Sequence, residues 1–350
     1  MTLKLGIIGF GKSANRYHLP YINIRENIEL KKVFTPIVDE ELARPYKEEG
    51  VQFVQNLDDL LRDDEIELIS ICTPAHTHYE LAKKVLLAGK HVIVEKPFAD
   101  TLTHAKELFD LAEKNGVFIT PYQNRRFDGD FLAVKQVVEQ GVLGDLIEVE
   151  THIDYYRPNS ITQSGPKEEG SFYGLGIHTM DRMISLFGRP TRVSYDIRNT
   201  DHKDAVDNYF DVDLHYSNRF KVKLKTNHTV VSAYPRFIVH GVNGSFIKYG
   251  EDQQENDLKA GIMPDSEGFG QDSPMNYGIL KYKNANGDWI EKQVPTPVGD
   301  YGAFYDSVVE AVRGNGKPVV TRVEALTNIE ILEQGFVQEN PSVYELPELY

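Results

Sequence analysis

Cysteine and positive charge are scarce in this sequence. Of its 350 residues one is cysteine, Cys72, so no internal disulfide can form, and its place in the apolar run 69–72 indicates a small core residue rather than a nucleophile. Lysine and arginine number 38 against 53 aspartates and glutamates, a net charge of -15. Nucleic acid and anionic membranes attract surfaces of the opposite sign, so neither is an expected partner.

Long apolar runs, metal-binding clusters and internal repeats are also missing from the sequence. No apolar run approaches the roughly 18 residues that a membrane-spanning helix needs. No group of cysteines and histidines has zinc spacing, so we expect no metal. Residues 1–11 are typical of a strand rather than of a signal peptide. These features favour a cytoplasmic enzyme.

The sequence has enough chain for two domains, because 350 residues exceed the usual size of one. Strands and helices alternate through the first third, which is typical of a doubly wound parallel sheet. After an initial strand, the pattern predicts strands over 28–35, 51–53, 66–73, 91–94 and 117–120, and helices over 57–62, 79–88 and 101–115. Six strands in about 120 residues match the size of a dinucleotide-binding domain.

The first strand runs into glycines spaced as G-x-G-x-x-A, in Gly9-Phe-Gly-Lys-Ser-Ala14. Gly9 permits a tight turn, Gly11 lets the backbone approach a pyrophosphate, and Ala14 is small enough for close packing of helix on strand. Lys12 and Ser13 add donors suited to phosphate, which the amino end of the helix also attracts. This segment is the predicted cofactor site.

The end of the second strand decides which nicotinamide cofactor binds. An acidic residue there binds the ribose 2′-hydroxyl and rejects a 2′-phosphate. The residues are Phe34-Thr35-Pro36, and the acidic residues 39–41 come late. No arginine replaces the carboxylate, although Arg44 can fold back and Thr35 can donate to a phosphate. We therefore favour NADP, with NAD as the alternative.

A second chemical signal follows the fifth predicted strand, in His91-Val-Ile-Val-Glu-Lys-Pro-Phe98. The carboxyl ends of strands in open α/β sheets form the ligand crevice, so Glu95 and Lys96 are expected at its rim, where Pro97 fixes the backbone. A partly desolvated lysine can polarise an oxygen or move a proton. The alternative is a solvated pair of charges at a strand end.

Four motifs resemble the Gfo/Idh/MocA oxidoreductases, and the resemblance runs nearly end to end. They are the Gly9 to Ala14 segment, Cys72-Thr-Pro74 with His78, Ala88-Gly-Lys-His-Val-Ile-Val-Glu-Lys-Pro97, and Tyr122-Gln-Asn-Arg-Arg-Phe127. Segments 122–128 and 172–178 point to an uncharacterised bacterial branch. The resemblance implies a Rossmann domain over residues 1–122, then an α/β domain with a large open, mostly antiparallel sheet over residues 123–350. It also implies NAD or NADP, and oxidation or reduction of a sugar- or polyol-like alcohol.

The resemblance assigns chemical roles as well. It implies that Lys96 is catalytic, that Glu95 lies by the nicotinamide, and that a cis bond precedes Pro97. It also makes His178 the proton-transfer group, so that lysine, aspartate and histidine surround the substrate alcohol. The family's aspartate stands four residues before the histidine, but here that residue is Gly174. Asp181, one turn beyond, is either a partial substitute or a structural partner.

Further contacts are expected from polar residues near these motifs. For the cofactor they are Thr35, Thr73, Pro74, His78, Glu95 and Asn124; for the substrate they are Arg125, Tyr156, Arg157, Tyr173 and Gly174. Such a lining favours a small polyhydroxyl substrate. Two alternatives stay open: the arginines 125, 126 and 157 pair with neighbouring carboxylates, and His78 caps the following helix.

The second half alternates apolar and polar residues, which predicts a mixed or antiparallel sheet with one wet face. Predicted strands cover 146–155, 193–198, 209–215, 221–228, 236–240 and 245–249, and predicted helices cover 131–140, 301–312 and 322–334. The polar stretch 251–276 is expected to be a long loop that can act as a lid. The resemblance implies that the open face packs against another subunit, so we expect a homodimer or a larger homo-oligomer.

Two rival functions stay open. The first is a non-catalytic sensor of dinucleotide or sugar, which the Gly174 replacement favours. The second is a biliverdin-reductase-like enzyme with an apolar substrate. Lys96 and His178 together favour an enzyme over the sensor, and the polar tracts favour a polyol over a tetrapyrrole.

Overall fold

The computed structural model describes residues 2–216 and 219–348. The chain forms two compact units. The first comprises the chain up to Asn124, Ala260–Glu267 and Asp300–Ile329. The second comprises Arg125–Lys259, Gly268–Gly299 and the chain from Glu330 onward.

The first unit is built on six parallel strands. They are β1 (Leu3–Ile8), β2 (Ile28–Phe34), β3 (Gln52–Val54), β4 (Leu68–Ile71), β5 (His91–Val94) and β6 (Ile119–Pro121). Its helices are α1 (Leu19–Ile22), α2 (Glu40–Glu48), α3 (Leu57–Leu61), α4 (His78–Leu87), α5 (Leu102–Asn115) and α9 (Gly302–Val312). The strand order is β3-β2-β1-β4-β5-β6, so the chain reverses direction across the sheet between β1 and β4. The doubly wound parallel sheet was predicted and is confirmed.

Local sequence explains where these elements begin and end. All four residues of β4 are buried, as expected for a strand of a parallel sheet that is covered on both faces. Thr101 caps α5 by accepting a hydrogen bond from the amide of His104 at 3.1 Å, and Gly116 ends the helix in the left-handed conformation at φ 66°. Ala14 lies in a π-helical turn, Ala14–His18, that leads into α1.

The register of the parallel strands aligns their carboxyl ends. Ile8 pairs with Phe34 on one side and with Ile71 on the other, Ile71 pairs with Val94, and Val94 pairs with Pro121. The residues that directly follow these five strand ends therefore share one edge of the sheet. They are Gly9, Thr35, Cys72, Glu95 and Tyr122. This is the edge at which open α/β sheets bind ligands.

The second unit is built on a nine-stranded sheet. Its strands are β7 (Leu146–His152), β8 (Arg192–Arg198), β9 (Tyr209–His215), β10 (Lys221–Asn227), β11 (Phe237–Gly241), β12 (Gly244–Lys248), β13 (Gly278–Lys283), β14 (Trp289–Val294) and β15 (Ser342–Glu345). Their order is β14-β13-β12-β11-β7-β10-β9-β8-β15, and every neighbouring pair is antiparallel except β7 with β10. The predicted open, mostly antiparallel sheet is confirmed.

Each face of this sheet has its own chemistry. Residues of β9 and β10 alternate between buried and half-buried, with Phe210, Val212 and Leu214 on the buried face of β9. Helices α6 (Gly129–Glu139) and α7 (Ile177–Phe187) pack against β12 and β10 respectively. On the other face, Lys223 pairs with Asp211 at 2.5 Å and with Asp213 at 3.1 Å. These ion pairs lie on the face of the sheet that was predicted to be wet.

The prediction of a long loop over residues 251–276 was wrong. Helix α8 (Gln253–Ala260) lies within it, and Pro274–Asn276 forms a 3-10 turn. Some polar side chains of this helix are buried: Gln254 donates to the Phe127 carbonyl at 3.0 Å, and Asp257 accepts from the Gly270 amide at 2.7 Å. Strands β13, β14 and β15 were not predicted. The last helix, α10 (Arg322–Gln334), begins and ends where expected.

Throughout residues 2–216 and 219–348, every helix falls short of the length and apolar character that membrane crossing requires.

Candidate active site

The turn after β1 has the geometry that a pyrophosphate needs. Gly9 has φ 96°, and a Cβ there would lie 2.8 Å from the carbonyl oxygen of Cys72, so only glycine fits. At Gly11 a Cβ would meet no atom within 4 Å, so the backbone faces open space. Ala14 is fully buried, and Lys12 is exposed beside the turn. The segment therefore fits a dinucleotide phosphate at the start of a helix.

Glu95 is a buried carboxylate at the same edge of the sheet, and it accepts hydrogen bonds from three sides. The Ser13 hydroxyl donates to Oε1, His18 Nε2 lies 3.0 Å from the same oxygen, and the Lys96 amide donates to Oε2 at 2.9 Å. The single hydroxyl proton of Ser13 thus goes to Glu95. The expected contact of Ser13 with a cofactor phosphate stays a prediction.

The charge of Glu95 is maintained by these neighbours. Burial by itself raises the pKa of Glu95, but the hydrogen bonds and charges of His18, Ser13 and Lys96 outweigh it and lower the pKa to about 2. Glu95 is consequently ionised throughout the physiological range and acts only as an acceptor. This makes it a fixed anchor for the groups around it.

Lys96 follows directly, and its peptide bond to Pro97 is cis, as the resemblance implied. The Pro97 carbonyl lies 2.8 Å from Nδ1 of His78, and the Thr73 carbonyl lies 2.8 Å from Nε2. His78 is 1% exposed, and it joins the turn after β4 to the turn after β5. Its contact with a cofactor stays a prediction.

The remaining predicted cofactor contacts lie in the same unit. Thr35 is 7% exposed and its hydroxyl donates to the Ile37 carbonyl at 2.8 Å, so that proton is already used. Thr73 lies beside the exposed Pro74 and hydrogen-bonds the Thr77 hydroxyl at 2.6 Å. Asn124 is buried at the start of a short 3-10 helix, Asn124–Phe127.

The second unit holds His178, which lies 7% exposed in the first turn of α7. The π-helical turn Phe172–Gly176 leads into this helix. One turn after His178, Asp181 accepts two hydrogen bonds of 2.7 Å from Arg126. Of the two roles left open for Asp181, the structure shows the structural pair. The next residue, Arg182, is fully buried and lies 3.2 Å from Asp128.

The predicted substrate residues divide into exposed and packed ones. Tyr156 is 63% exposed, and the exposed Arg157 stacks on the Tyr155 ring at 4.0 Å. Arg125 lies 3.2 Å from Glu255 and 3.4 Å from Asp128, which agrees with the ion-pair alternative. Tyr173 is 1% exposed, and Lys167 lies over its ring at 5.5 Å. That ring has almost no exposed surface, and its contact with a substrate stays a prediction.

Two residues of the site were not predicted from the sequence. His18 is fully buried, stacks on Tyr122 with ring centroids 3.9 Å apart, and places Nδ1 2.6 Å from the Tyr305 hydroxyl. Its position four residues after Ala14, on the inner side of the first helix, was the available signal. Tyr305 lies 287 positions later in the chain, and no local pattern pointed to it.

Comparison with known families agrees with this arrangement. The model described as "Oxidoreductase family, NAD-binding Rossmann fold" matches residues 3–123, and "Oxidoreductase family, C-terminal alpha/beta domain" matches residues 135–344. The chain belongs to the Gfo/Idh/MocA oxidoreductase family. The resemblance stated from the four motifs is therefore confirmed, and the first unit carries an NAD(P)-binding Rossmann fold.

Individual members of the Gfo/Idh/MocA family match along almost the whole chain. The chain is 47% identical to the uncharacterized oxidoreductase YhhX of Escherichia coli, over 99% of each protein. It is 33% identical to the scyllo-inositol 2-dehydrogenase (NADP(+)) IolW of Bacillus subtilis, over 95% of this chain and 92% of that one. The crystal structure of an oxidoreductase from Bacillus cereus is 69% identical, with a TM-score of 0.99 over 100% of both chains.

Proposed function

We propose that the protein is an NAD(P)-dependent dehydrogenase or reductase that acts on a secondary alcohol or ketone of a sugar- or polyol-like substrate. The observation that carries this proposal is the alignment of strand ends, which brings the Gly9 turn and the Glu95–Lys96 pair to one edge of one sheet. In this proposal residues 1–122 bind the cofactor and residues 123–350 bind the substrate. The activity named for the similar IolW protein supports a polyol.

Lys96 and His178 carry the proposed chemistry. The nicotinamide, when bound, supplies or accepts the hydride. Lys96 Nζ holds the reacting oxygen, and a ring nitrogen of His178 takes or gives the proton of the alcohol. Contributions of this kind are each on the order of 10² to 10⁴ in rate. Arg125, Tyr156 and Arg157 remain the proposed ligands of the substrate hydroxyls.

NADP is the proposed cofactor. Its support is the lack of a carboxylate in Phe34-Thr35-Pro36 and the NADP(+) in the name of the similar IolW protein. Titrating the protein with each reduced cofactor and following nicotinamide fluorescence gives both dissociation constants. Equal constants would remove the preference.

The activity itself is tested by offering inositols and aldoses with both oxidised cofactors and following absorbance of the reduced form. We expect turnover with at least one polyhydroxyl alcohol. Lys96→Met is expected to lower kcat by 10² or more, because the reacting oxygen loses its donor, while cofactor binding stays within a few-fold. The matched control is Lys106→Met, which removes an exposed lysine from α5. A Lys96→Met protein with unchanged turnover would exclude Lys96 from the mechanism.

The alternative of a dinucleotide- or sugar-binding sensor is favoured by one observation. Gly174 leaves His178 without the aspartate that the family usually places four residues before it. Tight binding of the reduced cofactor without turnover of any polyol in either direction would support the sensor function.

A further inference from the structure

A buried chain of hydrogen bonds leads from β4 and α9 to Glu95. The Ser70 hydroxyl lies 3.1 Å from the Tyr305 hydroxyl, which lies 2.6 Å from His18 Nδ1. His18 Nε2 then lies 3.0 Å from Glu95. Ser70, His18 and Tyr305 are all fully buried. None of these three groups is assigned a role in the proposed reaction.

The direction of the last bond in this chain follows from chemistry. Glu95 is a carboxylate and can only accept, so Nε2 of His18 must carry a proton that points at it. Nδ1 faces a phenol hydroxyl, which donates to a neutral ring and accepts from a charged one. Ser70, also a hydroxyl, can adjust in the same way. The hydrogen bond between Tyr305 and Nδ1 is therefore compatible with a proton on Nε2, whether the imidazole ring is neutral or charged.

We infer that His18 is a positioning residue of the proposed enzyme: through Glu95 it holds both the backbone of Lys96 and the phosphate-binding turn at Ser13. The inference rests on the proposed function, because Lys96 matters only if it is catalytic. Glu95 also accepts a hydrogen bond from Ser13, which lies in the turn proposed to bind the cofactor, so the inference also predicts an effect on cofactor binding. One carboxylate joins the turn after β1 to the turn after β5, and His18 fixes the orientation of that carboxylate.

The substitution His18→Phe tests this inference, because phenylalanine keeps a ring to stack on Tyr122 but donates nothing to Glu95. The charged and titratable groups that act on Glu95 are His18, Lys96 and, more weakly, the buried Cys72, Tyr122 and Tyr305. Without His18 the effect of burial prevails, and Glu95 takes up a proton at a higher pH. A protonated Glu95 cannot accept from Ser13 and Lys96 as before.

The readout is the dissociation constant of the reduced cofactor, measured by fluorescence from pH 4.5 to 8. For His18→Phe we expect about tenfold weaker binding at pH 7.5, as for the loss of one hydrogen bond to a charged group. We also expect His18→Phe to lose cofactor affinity towards the acid end of this range, where the wild type, whose Glu95 stays ionised, keeps its affinity. His18→Gln, whose amide N–H can still donate to Glu95, is expected to stay within threefold of the wild type with its pH profile unchanged.

A purely structural role predicts a different result, in which His18→Phe melts at a lower temperature but its cofactor pH profile superimposes on that of the wild type. That result would overturn the inference. If His18→Phe does not fold, Tyr305→Phe removes the hydroxyl that orients His18 and should move the profile in the same direction. Its control is Tyr301→Phe, a buried ring near the start of α9 that packs on Tyr21. If both tyrosine variants match the wild type, the inference is wrong.

These measurements need no substrate, so the two proposals fail separately. A wild type that binds cofactor but oxidises no polyol refutes the proposed function and leaves the cofactor titration of His18→Phe intact. Superimposed pH profiles refute the role of His18 while turnover continues.

Discussion

At the residue scale, Gly174 stands where the resemblance implies an aspartate. It lies in the π-helical turn before α7, and a Cβ there would meet no atom within 4 Å. Its backbone is also outside the left-handed region, since φ is not positive. Nothing steric therefore requires glycine, and a carboxylate four residues before His178 would share its helix face.

Gly174→Asp is accordingly expected to fold and to raise the pKa of His178, because a nearby carboxylate favours the imidazolium. The histidine titration followed by NMR measures this change, and the pH profile of kcat should move with it. Gly174→Ala is the control: it should stabilise the protein by about 0.5 to 1 kcal/mol, as expected when a helical glycine is replaced, without moving the titration. A His178 titration that is identical in all three proteins would contradict the prediction.

Individual residues differ in how far the sequence revealed them. The glycines of the first turn and the Glu95–Lys96 pair stand in motifs whose spacing has a physical meaning, so they were predicted. Ser13 and His78 were placed in the right region, but their protein partners, a carboxylate and two carbonyls, were not predicted. Which acceptor a donor finds depends on neighbours that lie far away in the chain.

At the element scale, Asp207 anchors the helical segment that carries His178. Its carboxylate accepts a hydrogen bond from the Phe172 amide at 2.7 Å. Burial raises the pKa of Asp207 from its usual value near 3.8 to about 6, although backbone hydrogen bonds from Phe172 and Ser171 act the other way. A raised pKa means that the folded protein prefers the protonated acid. The stabilising contribution is thus present below pH 4 and lost as the pH rises to about 6.

Asp207→Asn should remove that pH dependence and keep an oxygen acceptor for Phe172. We expect its free energy of unfolding to fall less than that of the wild type between pH 4 and 6, and to exceed it by on the order of 1 kcal/mol at pH 7. Urea unfolding at several pH values measures this difference. Asp204→Asn, at an exposed position in the same loop, is the control. Equal pH slopes for Asp207→Asn and the wild type would exclude the effect.

The pair of Arg126 with Asp181 gives a second prediction for the same helix. Both side chains are buried, so Asp181→Asn removes one half of a buried ion pair and should cost about 3 kcal/mol of unfolding free energy. The double substitution Arg126→Met with Asp181→Leu should recover most of that loss, because neither charge of the pair is then left buried. Chemical denaturation of the single and double variants measures these changes in the free energy of unfolding. If Asp181→Asn is as stable as the wild type but changes the pH profile of turnover, Asp181 serves His178 instead.

Among the elements that were missed, β14, β15 and α8 have a common cause. In β14 only Val294 is buried, and β15 has four residues, so neither shows the alternation that predicts a strand. Helix α8 is a run of polar residues whose buried side chains are satisfied by distant backbone groups. Pairing across the sheet and burial within the unit decided these elements, and neither is a property of local sequence.

At the scale of the whole molecule, the wet face of the nine-stranded sheet is charged on some strands and apolar on others. Charged ladders cover β9 and β10, whereas Ile238, Ile247 and Ile279 are paired in register across β11, β12 and β13. Ile279 is 40% exposed. We propose that this row packs against a second copy of the chain.

Sedimentation velocity should therefore show a dimer or a larger species, and Ile247→Glu should shift it towards the monomer because a carboxylate would be buried in the contact. Thr103→Glu, at an exposed position on α5 in the first unit, is the control. A wild type that sediments as a monomer at working concentration would contradict the prediction.

The sequence by itself determined the class of this protein and the position of its chemical motifs. Periodicity and glycine spacing are local, so they specified the parallel sheet, the glycine turn after β1 and the ends of helices such as α10. Tertiary structure decided which distant side chains meet. Tyr305 reaches His18, and His18 reaches Glu95, only because parallel strand ends share one edge and a helix from the far end of the chain packs beside them. Hydrogen bonds over such sequence separations follow from the packing of whole elements, which no local pattern encodes.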